Sequence, residues 1–405
     1  MLTESAPVFR APLLKTPFHD RARALCEVDS FIPWAGYTTV DVFSAVEPEY
    51  FAIRNAASLY DLSPMVKYRI SGPDAARYLN RLVTRDIGRV RPGRVVYCIW
   101  CNDAGEIIDD GTLFRFGTDE FRLCTAERQL DWLLDSAIGF QVEVSEVTTE
   151  LAALALQGPT SWAILRDAGL PATQRLKPFD AALFDWPGLE PGAREVLISR
   201  TGFTADLGYE LWIAPPAAES VWDTLMRAGA GHGLRPIGSR ALNIARIEAG
   251  FLQPNVDFVS AERVVRVGTA RTPFELGLDW LLDFGKGHFN GRRALLVEQR
   301  RGPRRRLLGL DIEGTKPAHN ALLYRDRKAR TTVGSVTSAT WSPTCKRNIA
   351  FAMIEAPHFA AADPLWAEIY LNRELTWERR MARARIAPRA FFDPERRRAT
   401  PPRAH

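Results

Sequence analysis

NDAGEIIDDGTLFRF, residues 102–116, sets Asp109 and Asp110 side by side in a stretch that otherwise reads as a β-strand. Strands disfavour Asp, and adjacent like charges gain nothing from each other. The turn residues NDAG (102–105) separate YCIW (97–100) from IIDDGTLFRF (107–116), which is a hairpin signal, and EFRLCTA (120–126) extends the meander. Upstream, VKYRISG (66–72) alternates with Val66, Tyr68 and Ile70 on one face. It runs into GPDAARYLNRLVTRDI, where Ala75, Tyr78, Leu79 and Leu82 have helical spacing. Downstream the pattern predicts a helix over 128–137 and strands near 142–155, 195–201 and 209–215. A further helix is predicted over 238–250, ended by Gly250.

From residue 306 the texture changes to short alternating strands divided by Gly and Pro turns, behind the Arg-rich EQRRGPRRR (298–306), which reads as a linker. The expectation is an α+β body over 1–300 in two interleaved subdomains, an all-β barrel-like domain over 306–388, and a basic, disordered tail over 389–405.

Composition narrows the function classes. At 46% hydrophobic and 25% charged residues the chain is ordinary for a soluble globular protein. It has no apolar run long enough for a bilayer and no secretory leader, so a cytoplasmic protein is expected. The net charge of +5 belongs to the end of the chain: residues 377–405 hold nine Arg against three acidic residues, which leaves 1–376 near −1. The body is therefore not a nucleic-acid binder by charge. The five cysteines are odd in number and scattered, against a disulfide framework. Cys98 and Cys101 form a CxxC with no second ligand pair, and they lie on a strand rather than opening a helix, so structural cysteines are expected and no metal. No GxGxxG follows a strand and no phosphate-binding loop occurs. What survives is a set of carboxylates in strands, Asp109, Asp110 and Glu210, near aromatic residues.

At these residues the chain resembles the glycine cleavage T-protein (aminomethyltransferase) superfamily. The matching pieces fall in family order: AIRNAASLYDLSPMVKYRISGPDA (52–75), NDAGEIIDDGTLFRF, LALQGP (154–159), RTGFTADLGYELW (200–212) and PIGSRALNIARIEAG (236–250). TPFELGLDWLLDFGKGHFNGRRAL (272–295) and GSVTSATWSPTCKRNIAFAMI (334–354) complete the set. The resemblance implies a three-subdomain cloverleaf around a central channel that holds tetrahydrofolate. It implies that Asp110, the second Asp of the family's pair, is the catalytic carboxylate, and that Glu210 binds the pterin. Tyr97 and Met65 match folate-pocket positions. On a strand, Asp109 and Asp110 should face opposite sides, so that their charges need not meet.

Departures from the pattern bear on the reaction. SHM of the T-proteins is SPM (63–65) here, GEDG is ADLG (205–208), and the helix that reads GARD in T-proteins reads SRALN, with Leu242 at the place of a folate-site Arg. This is similar to the dimethylglycine dehydrogenase folate domains and the tetrahydrofolate-dependent demethylases, though no flavin domain is expected in this chain. The resemblance therefore implies a demethylase that moves a methyl group from a small N-, O- or S-methyl donor to N5 of tetrahydrofolate. The alternatives are an aminomethyltransferase forming 5,10-methylenetetrahydrofolate and a non-catalytic folate-binding protein. The last is weakened because IEAGFLQPNVD (247–257) lacks the cysteine motif of members that assist iron–sulfur assembly.

Overall fold

The computed structural model describes residues 12–190, 194–266, 268–360 and 364–403. The meander builds a five-stranded sheet in the order Arg94–Cys101, Ile107–Arg115, Glu120–Thr125, Val66–Ser71 and Glu143–Glu146. Its apolar face closes on the helix Ala75–Leu82, whose Ala75, Tyr78, Leu79 and Leu82 are buried against Val66, Tyr68 and Ile70, as their spacing requires. A six-stranded sheet packs across from its other face, in the order Ala181–Asp185, Glu195–Ser199, Gly208–Ile213, Ala152–Gln157, Ala57–Asp61 and Leu234–Pro236. Tyr209, Leu211 and Ile213 point outward to the helices Ser161–Asp167 and Ala218–Gly229, whereas Glu210 and Trp212 point inward. The inward faces meet where Phe114 of the first sheet stands edge-on to Trp212 of the second, 5.1 Å between centroids. Burying the Phe114 side chain alone contributes about 2–3 kcal/mol.

The third lobe is a closed six-stranded barrel running from Arg305–Ile312 to Thr376–Ala387. The expected linker over 298–306 is mostly absent as such. Helix Arg292–Arg301 absorbs its first half, and the barrel begins at Arg305. The basic tail is also corrected: its described part is docked, not disordered. Phe391 and Phe392 donate backbone N–H bonds to the Glu248 carbonyl at 2.8 and 2.9 Å, and Arg396 grips the buried Asp206 with two bonds of 2.7 Å. Arg200 holds the Arg397 and Ala399 carbonyls. Composition alone made these arginines look solvated, yet Arg389, Arg396 and Arg397 find a carbonyl, a carboxylate and a ring far back in the chain.

Helix Ser239–Ala249 sits between the lobes and ends at Gly250, whose φ of +81° makes it the left-handed cap expected from the sequence. Its start is fixed by Gly238, where a Cβ would come within 2.1 Å of the Asp41 carbonyl. No helix among the described residues is long and apolar enough to cross a membrane.

Candidate active site

The two adjacent aspartates are set apart by a register shift. Trp100 pairs with Asp109 but Cys101 pairs with Ile107, so one residue of the strand Ile107–Arg115 is left over. This β-bulge re-aims the side chains beyond it. Ile108 packs with Trp100 on the helix side, while Ile107 faces the barrel side. Asp110 then heads a row of alternate residues, Asp110, Thr112 and Phe114, that look into the space between the sheets. Tyr97, on the neighbouring strand, donates its hydroxyl to Asp110 Oδ2 at 2.6 Å, and Trp280 lies 6.2 Å from the Tyr97 ring.

Asp110 is half-buried, and burial lifts its carboxyl to about 6 against the bonds from Tyr97 and Asp109 that favour the anion. Asp109 and Asp110 pair with Trp100 and Ile99 and so face opposite sides as expected, but their charges still act on each other. Asp109 is 2% exposed, it accepts the Asp110 N–H at 2.9 Å and a bond from Gln129, and the Asp110 charge adds to burial in pushing its pKa well up. The bulge at Ile108 lies before the pair and leaves the alternation from Asp109 to Asp110 intact, so the coupling acts through proximity in a buried setting. Asp109 serves as a buried neighbour of Asp110 rather than as a solvated residue.

Glu210 enters from the opposite sheet. It pairs in register with Ala155 and Ser199, and the two small neighbours leave room over the carboxylate. Thr201 donates to Oε2 at 2.5 Å, and Trp212 donates to the Ser199 hydroxyl beside it. With 8% exposure, burial raises the Glu210 pKa to about 7. Met65 and Leu242 are half-buried on the edge of the same aromatic cluster, with Trp34, Phe116 and Phe179. All four expected site residues, Asp110, Glu210, Tyr97 and Met65, thus border the inter-sheet space. The aromatic stretch 31–43 forms the strands Ser30–Trp34 and Tyr37–Val42, and its Trp34 reaches the cluster 6.3 Å from the Tyr60 ring.

No arginine of the helix Ser239–Ala249 replaces the one missing at Leu242. Arg240 turns outward to Asp41, and Arg246 is locked to Asp257 at 2.5 Å and to Ser338 at 2.8 Å. Those two arginines border an open cavity of about 310 Å³ between the helix and the barrel, with Asn243, His319, Thr337 and Ser338 among its lining. Asp257 joins Arg246, Thr337 and Ser338 beside it. Its charge reaches Asp110 and helps hold that pKa up.

Two buried groups escape a reading of the sequence. Lys67 is fully buried, donates to the Ser63 and Met65 carbonyls at 2.7 and 2.8 Å, and is lowered to about 8 by desolvation. Arg389 of the tail holds the Leu276 carbonyl and stands near Tyr97 and Asp257. Alternation in VKYRISG marks Lys67 as facing away from the helix, but not that a second sheet covers it. Cys98 and Cys101 are buried on opposite sides of their strand, and no cluster of metal-ligating side chains occurs among the described residues.

Residues 21–286 match the family model of the GCVT N-terminal domain, and residues 305–393 match the glycine cleavage T-protein C-terminal barrel domain. The chain belongs to the glycine cleavage T-protein family. An aminomethyltransferase of Caldanaerobacter subterraneus subsp. tengcongensis is 31% identical over 333 residues, 81% of this chain and 84% of that protein. A trimethylamine-oxide aldolase of Ruegeria pomeroyi is 32% identical over 394 residues, which is 95% of this chain but 48% of that protein. The crystal structure of aminomethyltransferase T from Bartonella henselae superposes with a TM-score of 0.80 at 24% identity, over 94% of this chain and 98% of that one. The α+β architecture with a closed C-terminal barrel is therefore the T-protein fold. The family is one of one-carbon-group transferases, and this T-protein relative is one of its members.

The donor chemistry of the inter-sheet space suits a reduced pterin: it has an inward carboxylate between small residues and a second carboxylate beyond the buried, mutually packed rings of Phe114 and Trp212. Adjacent N–H donors suit a carboxylate.

Proposed function

We propose that this protein transfers the methylene carbon of an aminomethyl donor to tetrahydrofolate, releasing ammonia and forming 5,10-methylenetetrahydrofolate in the manner of an aminomethyltransferase. The family membership and the similarity to aminomethyltransferases support this reading over methyl transfer. The observation that carries it is Asp110: a half-buried carboxylate, steadied by Tyr97, facing the same space as Glu210. Tetrahydrofolate, when bound, supplies nucleophilic nitrogens that accept and carry the one-carbon unit.

The protein's own groups divide the remaining work. Glu210 accepts the pterin N–H donors and sets the ring's orientation, while Met65 and the packed rings of Phe114 and Trp212 exclude water around it. Asp110 holds positive charge that develops near the acceptor nitrogens and takes the proton they release, as a preorganised carboxylate in a half-dry site does well. Tyr97 keeps the carboxylate aimed. The carbon centre asks mainly for alignment, so positioning carries much of the rate.

A second reading, transfer of an intact methyl group to N5, has one observation in its favour. Leu242 stands at the folate-site arginine position, and no neighbouring arginine on that helix fills the gap. Product analysis separates the two. The enzyme is incubated with tetrahydrofolate and a panel of aminomethyl compounds, methylated amines, sulfonium compounds and methoxyarenes. The expected product is 5,10-methylenetetrahydrofolate, with ammonia released, from an aminomethyl donor. Exclusive 5-methyltetrahydrofolate would overturn the first reading in favour of the second.

A further inference from the structure

One row of side chains on the inward face of the five-stranded sheet is short of partners. In register it reads Val95, Phe114, Arg122, Arg69 and Ser145. The Arg122 guanidinium stacks on two rings, 5.0 Å from the centre of Phe116 and 5.7 Å from that of Trp212. Its Nη1 is sealed from water and has no hydrogen-bond partner among the described residues, and the same holds for Ser145 Oγ. Arg69, directly opposite Arg122, is exposed, and its side chain forms no ion pair with a described residue. Two like charges directly opposed across strands destabilise a sheet, and a buried guanidinium without a counter-charge costs more than one in water.

Nearby acids leave this cost standing. Glu146 is taken by Arg128 and Thr148. Glu120, two residues along the strand, is exposed and makes no ion pair with Arg122 among the described residues. Lys67, one row closer to Asp110, adds a further positive charge to the same face. Two forked donors and a hydroxyl in one row of adjacent strands match the oxygens of a carboxylate, which a guanidinium holds in a bidentate pair.

We propose that Arg122, Arg69 and Ser145 form a carboxylate-binding site at the end of the inter-sheet space away from Asp110. The row lies four residues along the strand from Asp110, about 13 Å at the usual rise. The carboxylate belongs either to the one-carbon donor or to the tail of the folate. That choice of source rests on the function proposed above, whereas the site itself does not.

Thermal unfolding of the whole protein at constant ionic strength tests the site, with acetate and benzoate set against acetamide and benzamide. The expected result is a rise in Tm of a few degrees with the carboxylates and none with the amides, with the rise lost in Arg122→Gln. Without ligand, Arg122→Met should unfold at or above the wild-type temperature, because removing an unpaired buried charge relieves the fold. Equal response to acids and amides overturns the site, as does a carboxylate response that survives Arg122→Gln. A lower Tm for unliganded Arg122→Met also counts against it, since the residue would then be a structural cation–π contact.

Binding assays then identify the source. Arg122→Gln weakening a carboxylate-bearing donor at least tenfold, and its amide not at all, assigns the anion to the donor. Weakened tetrahydrofolate with unchanged tetrahydropteroate assigns it to the folate tail. A variant with wild-type affinity for all four overturns the proposal, while failure of turnover alone leaves the thermal test intact.

Discussion

Asp110 and Glu210 are both carboxyls whose pKa burial has raised, to about 6 and about 7, and the sign of each shift yields a prediction. A base must be ionised to accept a proton, so activity should fall as pH drops through about 6, with a plateau above it. Asp110→Asn should cut kcat at least ~100-fold while changing folate affinity little; steady-state rates with the true donor check this, and an unaltered rate would remove Asp110 from the mechanism. Glu210 must be ionised to accept pterin donors, so folate affinity should fall as pH drops through about 7. Glu210→Ala should weaken binding by roughly 2–4 kcal/mol, since donors left unpaired in a dry site cost their desolvation, and calorimetry reads this directly. The unliganded protein behaves in the opposite sense. Burial raises the Glu210 pKa from 4.5, so the folded chain holds that proton more tightly than the unfolded one. Its contribution to stability is complete below about 4.5 and is lost as pH rises toward 7. Comparing Tm against pH for wild type and Glu210→Gln should show a shallower decline in the variant over that window.

At the scale of elements, the site depends on one bulged strand and one tightly seated helix. The leftover residue before Asp109 turns Asp110 inward together with Thr112 and Phe114. Deleting Ile108 would restore regular pairing with Arg94–Cys101 and leave Ile107 opposite Cys101 on the barrel side. Helix Ser239–Ala249 starts where Gly238 donates to Glu49 Oε2 at 2.7 Å and presses on the Asp41 carbonyl. Gly238→Ala should therefore cost about 1–3 kcal/mol or more, as overpacking does, and denaturant melts should show a lower midpoint. A midpoint within error of wild type would mean that the strand Tyr37–Val42 gives way instead. The same helix carries Glu248 into a buried network in which Tyr50, Arg54 and Ser342 all donate to it. Helix Val46–Asn55, helix Ser239–Ala249 and the barrel are thereby tied at one carboxylate.

For the whole molecule, the tail after the barrel acts as a clasp across the lobes. Arg396 pairs with Asp206 of the second lobe, Phe391 stacks on Phe351 of the barrel, and the Arg54 guanidinium lies 4.3 Å from the Phe392 ring centre. Arg396→Ala leaves the buried Asp206 with the Leu207 N–H at 2.9 Å and Arg54 at 3.7 Å as its partners and should cost about 2 kcal/mol, seen as a drop in Tm. Truncation after Pro388 should cost more, because it removes Phe391, Phe392 and Arg389 together. The local patterns were legible in the residues themselves: alternation in 66–72, the turn at 102–105, the left-handed Gly250, and the ordered run of motifs that announced the family. Periodicity and turn chemistry act over a few residues, so a linear reading reaches them. What lay out of reach was decided by packing between distant segments. The bulge just before Asp109 and Asp110 depends on pairing with Arg94–Cys101. The unpaired state of Arg122 depends on which strands flank it, and the order of residues 389–403 depends on carboxylates and carbonyls almost two hundred residues upstream. Charge in a sequence records what a side chain carries, and only the folded chain determines whether that charge meets water, a partner or nothing.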